Sequence, residues 1–358
     1  MSGKSHALRG DALVNGRIVP DALIETRPKG GESVIVAVGP AGRRAAAARA
    51  RRIDGVIAPG YVDQHLHGAG GHDAIGPRGA QALLEATRGG KSAEADIVAA
   101  LRAVARETAA HGYAAIVPAS VSLPMPSVRL WARAVAVARS QQSVARAAGR
   151  ARDEAIILGG HAEGPAIAHA RKGAHDPTSL VDARTLLEAL NDRAHDWEAI
   201  RIVTFAPELR GADALVDHLV ARRIVASVGH TVATFEQATA AWDRGARSTT
   251  HLGNGMDPLH HRTPGVAGAA LSHPTARVEM ICDGVHVDLR MAALFAKLLG
   301  SRLIVVSDAC PAAGRGDGDF MLGALPVRVK GSAATLADGT LAGAVSLVDR
   351  GVENLVGA

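Results

Sequence analysis

A chain of 358 residues, 47% hydrophobic and 21% charged, is long enough for one large core with a small domain beside it. Aromatic residues are only 3% and Ala is used throughout, so helix propensity alone discriminates little between segments. The two cysteines, Cys282 and Cys310, give no disulfide framework and fit a reducing, cytoplasmic compartment, while the net charge of +5 suits an anionic substrate.

Met1 to Gly10 lacks the apolar stretch of a signal peptide, and no segment approaches the roughly 20 apolar residues of a membrane span, so no membrane partner is expected. Short β-like runs punctuated by Gly and Pro then fill residues 12–57, at 12–14, 17–19, 22–24 and 34–38. They predict a small β domain over residues 1–58. Within it lies the densest basic cluster, Arg43, Arg44, Arg49, Arg51 and Arg52. No aromatics or nucleic-acid motif accompany it, so it reads as a solvated face and no nucleic-acid partner is expected.

From about Ile57 strand-like and helical runs alternate. Strands are expected near Ile57 and at 114–118, 155–161, 201–205, 224–227, 247–251, 277–282 and 303–307. Helices are expected at 97–111, 128–148, 182–191, 212–222, 233–244 and 289–299. This alternation indicates an α/β fold, and its length matches a (β/α)8 TIM-like barrel over residues 59–320. A doubly wound sheet is the alternative, but no phosphate-binding glycine fingerprint follows the first strand. Beyond Asp308 come Gly-rich loops, a hairpin of 325–329 with 335–341 around Lys330-Gly331, and a helix-like end at 346–356, together residues 321–358.

The chemistry-bearing residues fall at the ends of these strand-like runs. His65-Leu66-His67 places two imidazoles on one side of an extended segment, before Gly68, Gly70 and Gly71. Glu163 follows an apolar run and precedes Gly164-Pro165. His230 follows Val225-Ala226-Ser227-Val228 and His251 follows Ser248-Thr249-Thr250. A lone His there is usually structural, but one Glu and two His at separate strand ends form the ligand set of a catalytic metal site. Asp308 ends the last run, where a carboxylate can take a proton from water and pass it to a leaving amine. No Lys lies at a strand end, so Glu163 must do any bridging between ions.

These segments resemble the N-acetylglucosamine-6-phosphate deacetylases of the amidohydrolase superfamily. The matching stretches are Pro59-Gly60-Tyr61-Val62-Asp63, His161-Ala162-Glu163-Gly164-Pro165, Lys172-Gly173-Ala174-His175, Ala206-Pro207-Glu208, Gly229-His230-Thr231 and His251-Leu252-Gly253-Asn254-Gly255-Met256. Arg262-Thr263-Pro264-Gly265, Asp283-Gly284-Val285-His286-Val287-Asp288 and Ser307-Asp308-Ala309 continue them in order. The resemblance implies that Glu163, His230 and His251 are the main metal ligands. His65 and His67 match a first-strand pair that some members keep and that can hold a second ion, so one or two divalent ions are implied, zinc or iron. Asp308 matches the acid/base and His175 the residue that polarises the acetamide carbonyl. Asn254 and Gly255 match a loop whose amides approach the phosphate. Arg262 and His286 match residues that bind substrate, including its phosphate, from the neighbouring subunit of a homodimer.

The implied reaction deacetylates N-acetylglucosamine 6-phosphate, a small amino-sugar phosphate. The same reaction on N-acetylgalactosamine 6-phosphate stays open, as does a non-catalytic sugar-phosphate binder. Family members usually carry larger residues where Gly253 and Gly255 stand, which implies a looser phosphate loop. They also continue past the equivalent of Ala358, so the resemblance implies a small, incomplete β-sandwich domain with exposed edges and lowered stability.

Overall fold

The computed structural model describes residues 6–29, 32–42, 45–76, 91–192 and 194–358. Arg43 and Arg44 of the basic cluster lie outside them, whereas Arg49, Arg51 and Arg52 are exposed. The chain divides into two units, one of Met1–Tyr61 with Ser140–Asp153 and one of Val62–Arg139 with Glu154–Ala358.

The first unit holds strands β1 (His6–Val14), β2 (Arg17–Lys29), β3 (Glu32–Pro40) and β4 (Arg51–Ile57) in the order β3-β2-β1-β4. Asn15 and Gly16 join β1 to β2, both at positive φ (50° and 75°), as a two-residue hairpin turn requires. The separate runs expected at 17–19 and 22–24 are one strand. Pro20 and Asp21 form a bulge between them, where a missing N–H costs no ladder bond. Ala12, Ala22 and Ile24 bury on one face and Leu23 on the other. The edge strand β3 leaves Val34, Ile35, Val36 and Val38 exposed.

The run ending at Ile57 belongs to this sheet, not to the barrel. Ile57 pairs with Ala12 in β4, and Pro59-Gly60 breaks the chain before the first barrel strand, β5 (Tyr61–Leu66). After the small ribbon β6 (Gly68–Ala69) and β7 (His72–Asp73) come β8 (Tyr113–Ser120), β9 (Ile156–Ile157), β10 (Gly160–Glu163), β11 (Ile200–Phe205), β12 (Val225–Val228), β13 (Ser248–Thr249), β14 (Arg277–Ile281) and β15 (Leu303–Val306). Eight of these lie side by side in the order β15-β14-β13-β12-β11-β10-β8-β5. The ring closes where Leu66 bridges Ala309, with His67 N–H donating to Ala309 O at 2.7 Å and Asp308 N–H to His65 O at 2.9 Å.

The expected strand at 155–161 is split. Gly159 interrupts it at φ 159°, and a Cβ there would come within 2.5 Å of the Ala199 carbonyl oxygen. The intervening helices bury one stripe each, Leu215, Val216 and Leu219 in Ala212–Ala221 and Ala292, Phe295 and Leu299 in Leu289–Leu299. A further helix, Gly265–Ser272, was not expected, because its Gly and Ala residues give no amphipathic stripe. The hairpin around Lys330-Gly331 forms, but its second arm is β18 (Ala333–Thr335) and not 335–341: residues 336–340 turn the chain into β19 (Leu341–Ala344), and with β16 (Gly318–Leu322) and β17 (Leu325–Lys330) these make a four-stranded antiparallel sheet. Its last strand docks at the barrel mouth, where Cys310 N–H donates to Ala344 O and Ala344 N–H to Asp308 O. No helix among the described residues is long and apolar enough to cross a membrane.

Candidate metal centre

Parallel strands deliver their C-terminal ends to one face, and there the chain turns sharply. His230, His251 and Asp308 each lie two residues past a strand, after β12, β13 and β15. All three adopt left-handed backbone, with φ of 48°, 28° and 50°. For residues other than Gly this conformation costs roughly 1–3 kcal/mol, and it recurs at functional sites. Asp308 leads into a turn and caps no helix.

Glu163 Oε1 lies 3.2 Å from His230 Nε2 and 3.0 Å from His251 Nε2, and the two nitrogens are 3.0 Å apart. His230 Nδ1 donates to the Arg171 carbonyl at 2.7 Å, so Nε2 of the neutral ring presents a lone pair. Lone pairs converging with a carboxylate oxygen in a buried site repel unless a cation stands among them. One Glu and two His suit a divalent ion of the zinc type.

A second group shares Glu163. His67 Nε2 is 3.1 Å from Glu163 Oε2 and His65 Nε2 is 3.3 Å from Glu163 Oε1. Asp308 Oδ1 stands 3.4 Å from His65 Nε2 and 3.2 Å from His67 Nε2. Among the described residues, His65 Nε2 and Asp308 Oδ1 are buried without a hydrogen-bond partner. Buried polar atoms are seldom left so, and here they point to a ligand. Both groups of side chains, His65–His67–Glu163 and Glu163–His230–His251, could hold a metal.

The electrostatics favour a cation. Burial would raise the Glu163 carboxyl, but His65 and His230 hold it well below its ordinary range. Burial opposes ionisation of Asp308 too, and His65 and His67 overcome it, keeping the carboxyl low. Burial works against a charged His67, yet Asp308 and Glu163 raise its pKa to about 9. These rings hold either a proton or an ion, and the carboxylates favour both.

His175 has a fixed tautomer. The Ser122 N–H donates to its Nδ1 at 2.8 Å, so in the neutral ring the proton sits on Nε2, 3.3 Å from Glu163 Oε2. Burial lowers its pKa to about 4, so His175 is a neutral N–H donor at physiological pH. Sequence reading missed Ser122, because nothing in the motif around His175 points to it.

His67, Glu163, His230, His251, the acid/base candidate Asp308 and His175 line one cavity of about 220 Å³ with Asn254, Gly255 and His286. That far exceeds the roughly 30 Å³ share of one water, so a small solute fits. Leu322, Leu341 and Gly343, from the sheet β16–β19, and Thr340, in the turn before β19, complete the wall. Asn254 N–H is already engaged by the His251 carbonyl at 3.0 Å. His286 Nδ1 bonds Asp283 Oδ2 at 2.7 Å; burial disfavours its cation, but Asp283 raises its pKa overall. Arg262 is not brought to this cavity. It is exposed and lines a second cavity with Phe235, Asp257 and His260. Cys310 is a buried thiol that burial pushes up to about 12.

No protein-family model matches the chain. It is 32% identical over 357 residues to the N-acetylglucosamine-6-phosphate deacetylase of Vibrio furnissii, covering 99% of this chain and 82% of that one. It is 31% identical to the N-acetylgalactosamine-6-phosphate deacetylase of Escherichia coli O157:H7, covering 84% of this chain and 72% of that one. A mutant of N-acetyl-D-glucosamine-6-phosphate deacetylase from Mycobacterium smegmatis, solved in complex with N-acetyl-D-glucosamine-6-phosphate, is 30% identical. It superposes with a TM-score of 0.79 over 99% of this chain and 84% of that one. With this extent of identity, and with a barrel and a buried His/Glu cluster of this kind, the chain belongs to the N-acetylglucosamine-6-phosphate deacetylase family.

Proposed function

We propose that this chain is a cytoplasmic, homodimeric, metal-dependent deacetylase that converts N-acetylglucosamine 6-phosphate and water to glucosamine 6-phosphate and acetate. One observation carries the reading: Glu163, His230 and His251 converge in the cavity that Asp308 and His175 also line. Glu163, His230 and His251 would hold the first divalent ion, and His65 and His67, with Glu163 shared, a second; zinc or iron suits these donors. When bound, such an ion supplies Lewis acidity to a carbonyl and to water.

The chain's own groups divide the proton work. Asp308, held ionised, takes a proton from the attacking water and returns it to the sugar nitrogen as the C–N bond breaks. His175 donates its Nε2–H to the oxygen of the tetrahedral intermediate, a role that demands a neutral imidazole with this tautomer. Asn254, Gly255 and His286 bind the sugar phosphate.

The cavity lining includes no Lys or Arg among the described residues, and a phosphate dianion needs one. Arg262, exposed and without an ion pair among the described residues, is the candidate to supply it to the cavity of a second copy. Two free, buried thiols suit the cytoplasm. The test is acetate release from N-acetylglucosamine 6-phosphate before chelation, after it, and after zinc is restored. Turnover that follows the metal supports the reading; a folded, zinc-replete protein without turnover rejects it.

The similarity to an N-acetylgalactosamine-6-phosphate deacetylase keeps the epimer as a second reading. Comparing kcat/KM on the two sugar phosphates decides between them.

A further inference from the structure

Beneath the metal centre the barrel interior is polar, where aliphatic layers are usual. Glu279, on β14, is fully buried. Its Oε2 lies 3.1 Å from His65 Nδ1, and its Oε1 accepts from Gln64 Nε2 at 2.6 Å. His161 sits alongside, its ring centroid 4.4 Å from that of His65. His65, His161 and Glu279 are close enough to suggest a further metal cluster.

The hydrogen bonds argue otherwise. A carbonyl can only accept, so His161 donates from Nδ1 to Gln64 O at 3.1 Å. Its Nε2 therefore accepts from the Thr204 hydroxyl at 2.7 Å. Thr204 Oγ1 then accepts from Thr250 at 2.8 Å, and Thr250 from Ser227 at 2.7 Å. The chain of donors runs one way with every step matched, and both His161 nitrogens are engaged. His161 is support, not a ligand. Glu279 completes this layer: as an acceptor at His65 Nδ1 it keeps the proton there and leaves the Nε2 lone pair facing Glu163 and Asp308.

We propose that Glu279 is a positioning residue that fixes the tautomer and orientation of His65, and so sets the affinity of the His65–His67–Glu163 metal position while leaving the Glu163–His230–His251 position unchanged. The inference rests on the metal reading above and adds to it which buried carboxylate governs the second ion. Removing such an outer partner of a metal-bound His costs typically about 10–100-fold in metal affinity.

The test measures zinc content by mass spectrometry at buffered free zinc, in the full chain and in Glu279→Gln, Gln64→Leu, His65→Ala and Glu163→Ala. Circular dichroism checks that each variant folds, and cobalt absorption reports the coordination of each position. Two zincs are expected in the wild type, with Glu279→Gln weakening one of them about 10–100-fold and sparing the other. His65→Ala should lose the same ion, and Gln64→Leu should weaken it less. Wild-type affinity for both ions in Glu279→Gln would overturn the proposal, as would an equal loss of both ions. Should Glu279→Gln not fold, Gln64→Leu decides, and unchanged zinc binding there overturns it. If His65→Ala loses no ion, the second position does not exist and the proposal falls while the metal reading stands. If Glu163→Ala binds zinc like the wild type, or the wild type binds none, the metal reading falls first.

Discussion

Asp63 accepts the Ser307 hydroxyl at 2.5 Å, so one carboxylate ties the first barrel strand to the residue before Asp308. The same side chain takes the His65 N–H at 3.2 Å and the Ser307 N–H at 3.3 Å, and Tyr113 reaches it at 3.4 Å while receiving the Val348 N–H. Asp63 therefore holds the candidate ligand His65 by its backbone N–H, and Ser307, the neighbour of the acid/base candidate, by its N–H and hydroxyl. Asp63→Ala strands those buried donors, at about 1–3 kcal/mol each. Urea unfolding should show that loss, with a fall in kcat alongside. An unchanged midpoint would refute the clamp.

Asp308→Asn keeps the shape of the side chain and removes its basicity. In that variant kcat should fall about 10²–10⁴-fold, the range for loss of a general acid–base, with zinc content and KM near wild type. Should kcat survive, Asp308 is not the proton carrier. His175→Gln should lower kcat by about 10²–10³-fold, as removal of an oxyanion donor does. Because burial holds the His175 pKa near 4, its protonation should leave the wild-type kcat profile unaffected at neutral pH.

His161 supplies a pH signature in stability. Burial lowers its pKa from 6.5 to about 4. Between those values the unfolded chain binds a proton that the folded one does not. The stability it contributes is thus whole above the unfolded value and declines as pH falls toward the folded one. The slope is about 1.4 kcal/mol per pH unit for one such proton. Urea midpoints from pH 7.5 down to 4.5 should fall less steeply in His161→Gln. Parallel curves would show that His161 is not held neutral.

Arg262 offers a mixing experiment. Arg262→Ala should raise KM for the sugar phosphate and lower kcat/KM. If each cavity borrows the guanidinium of a second copy, refolding Arg262→Ala together with inactive Asp308→Asn restores activity, because one hybrid cavity has both groups. No recovery in a demonstrated mixed dimer would mean that Arg262 acts elsewhere.

Much of this was legible in order along the chain. Glu163, His230 and Asp308 announce themselves because each follows a short apolar run, and His251 because it follows the strand-like Ser248-Thr249-Thr250; a parallel barrel brings such ends together. What stayed hidden were partners contributed by distant strands. Glu279 reads as an ordinary polar residue within a strand, and only the ring closure of the barrel places it against His65. Ser122 is as unremarked in sequence, and Ser307 stands in a matching stretch without a role of its own. The first strand was misplaced because Val56-Ile57 is as β-like as Tyr61-Val62, and only pairing with β1 assigns it to the small sheet. The helix Gly265–Ser272 left no trace, since a helix of small residues has no periodic stripe.

The left-handed backbone at His230, His251 and Asp308 sets a direction for engineering. At each position the imidazole or carboxylate is kept despite a conformation that glycine would adopt without penalty. Glycine there would relieve the backbone and remove the proposed ligands and acid/base, so selection for thermal robustness alone would erode this site at its own turns. Stabilising libraries for this chain should leave those three codons untouched and draw their gains from positions such as the exposed valines of β3.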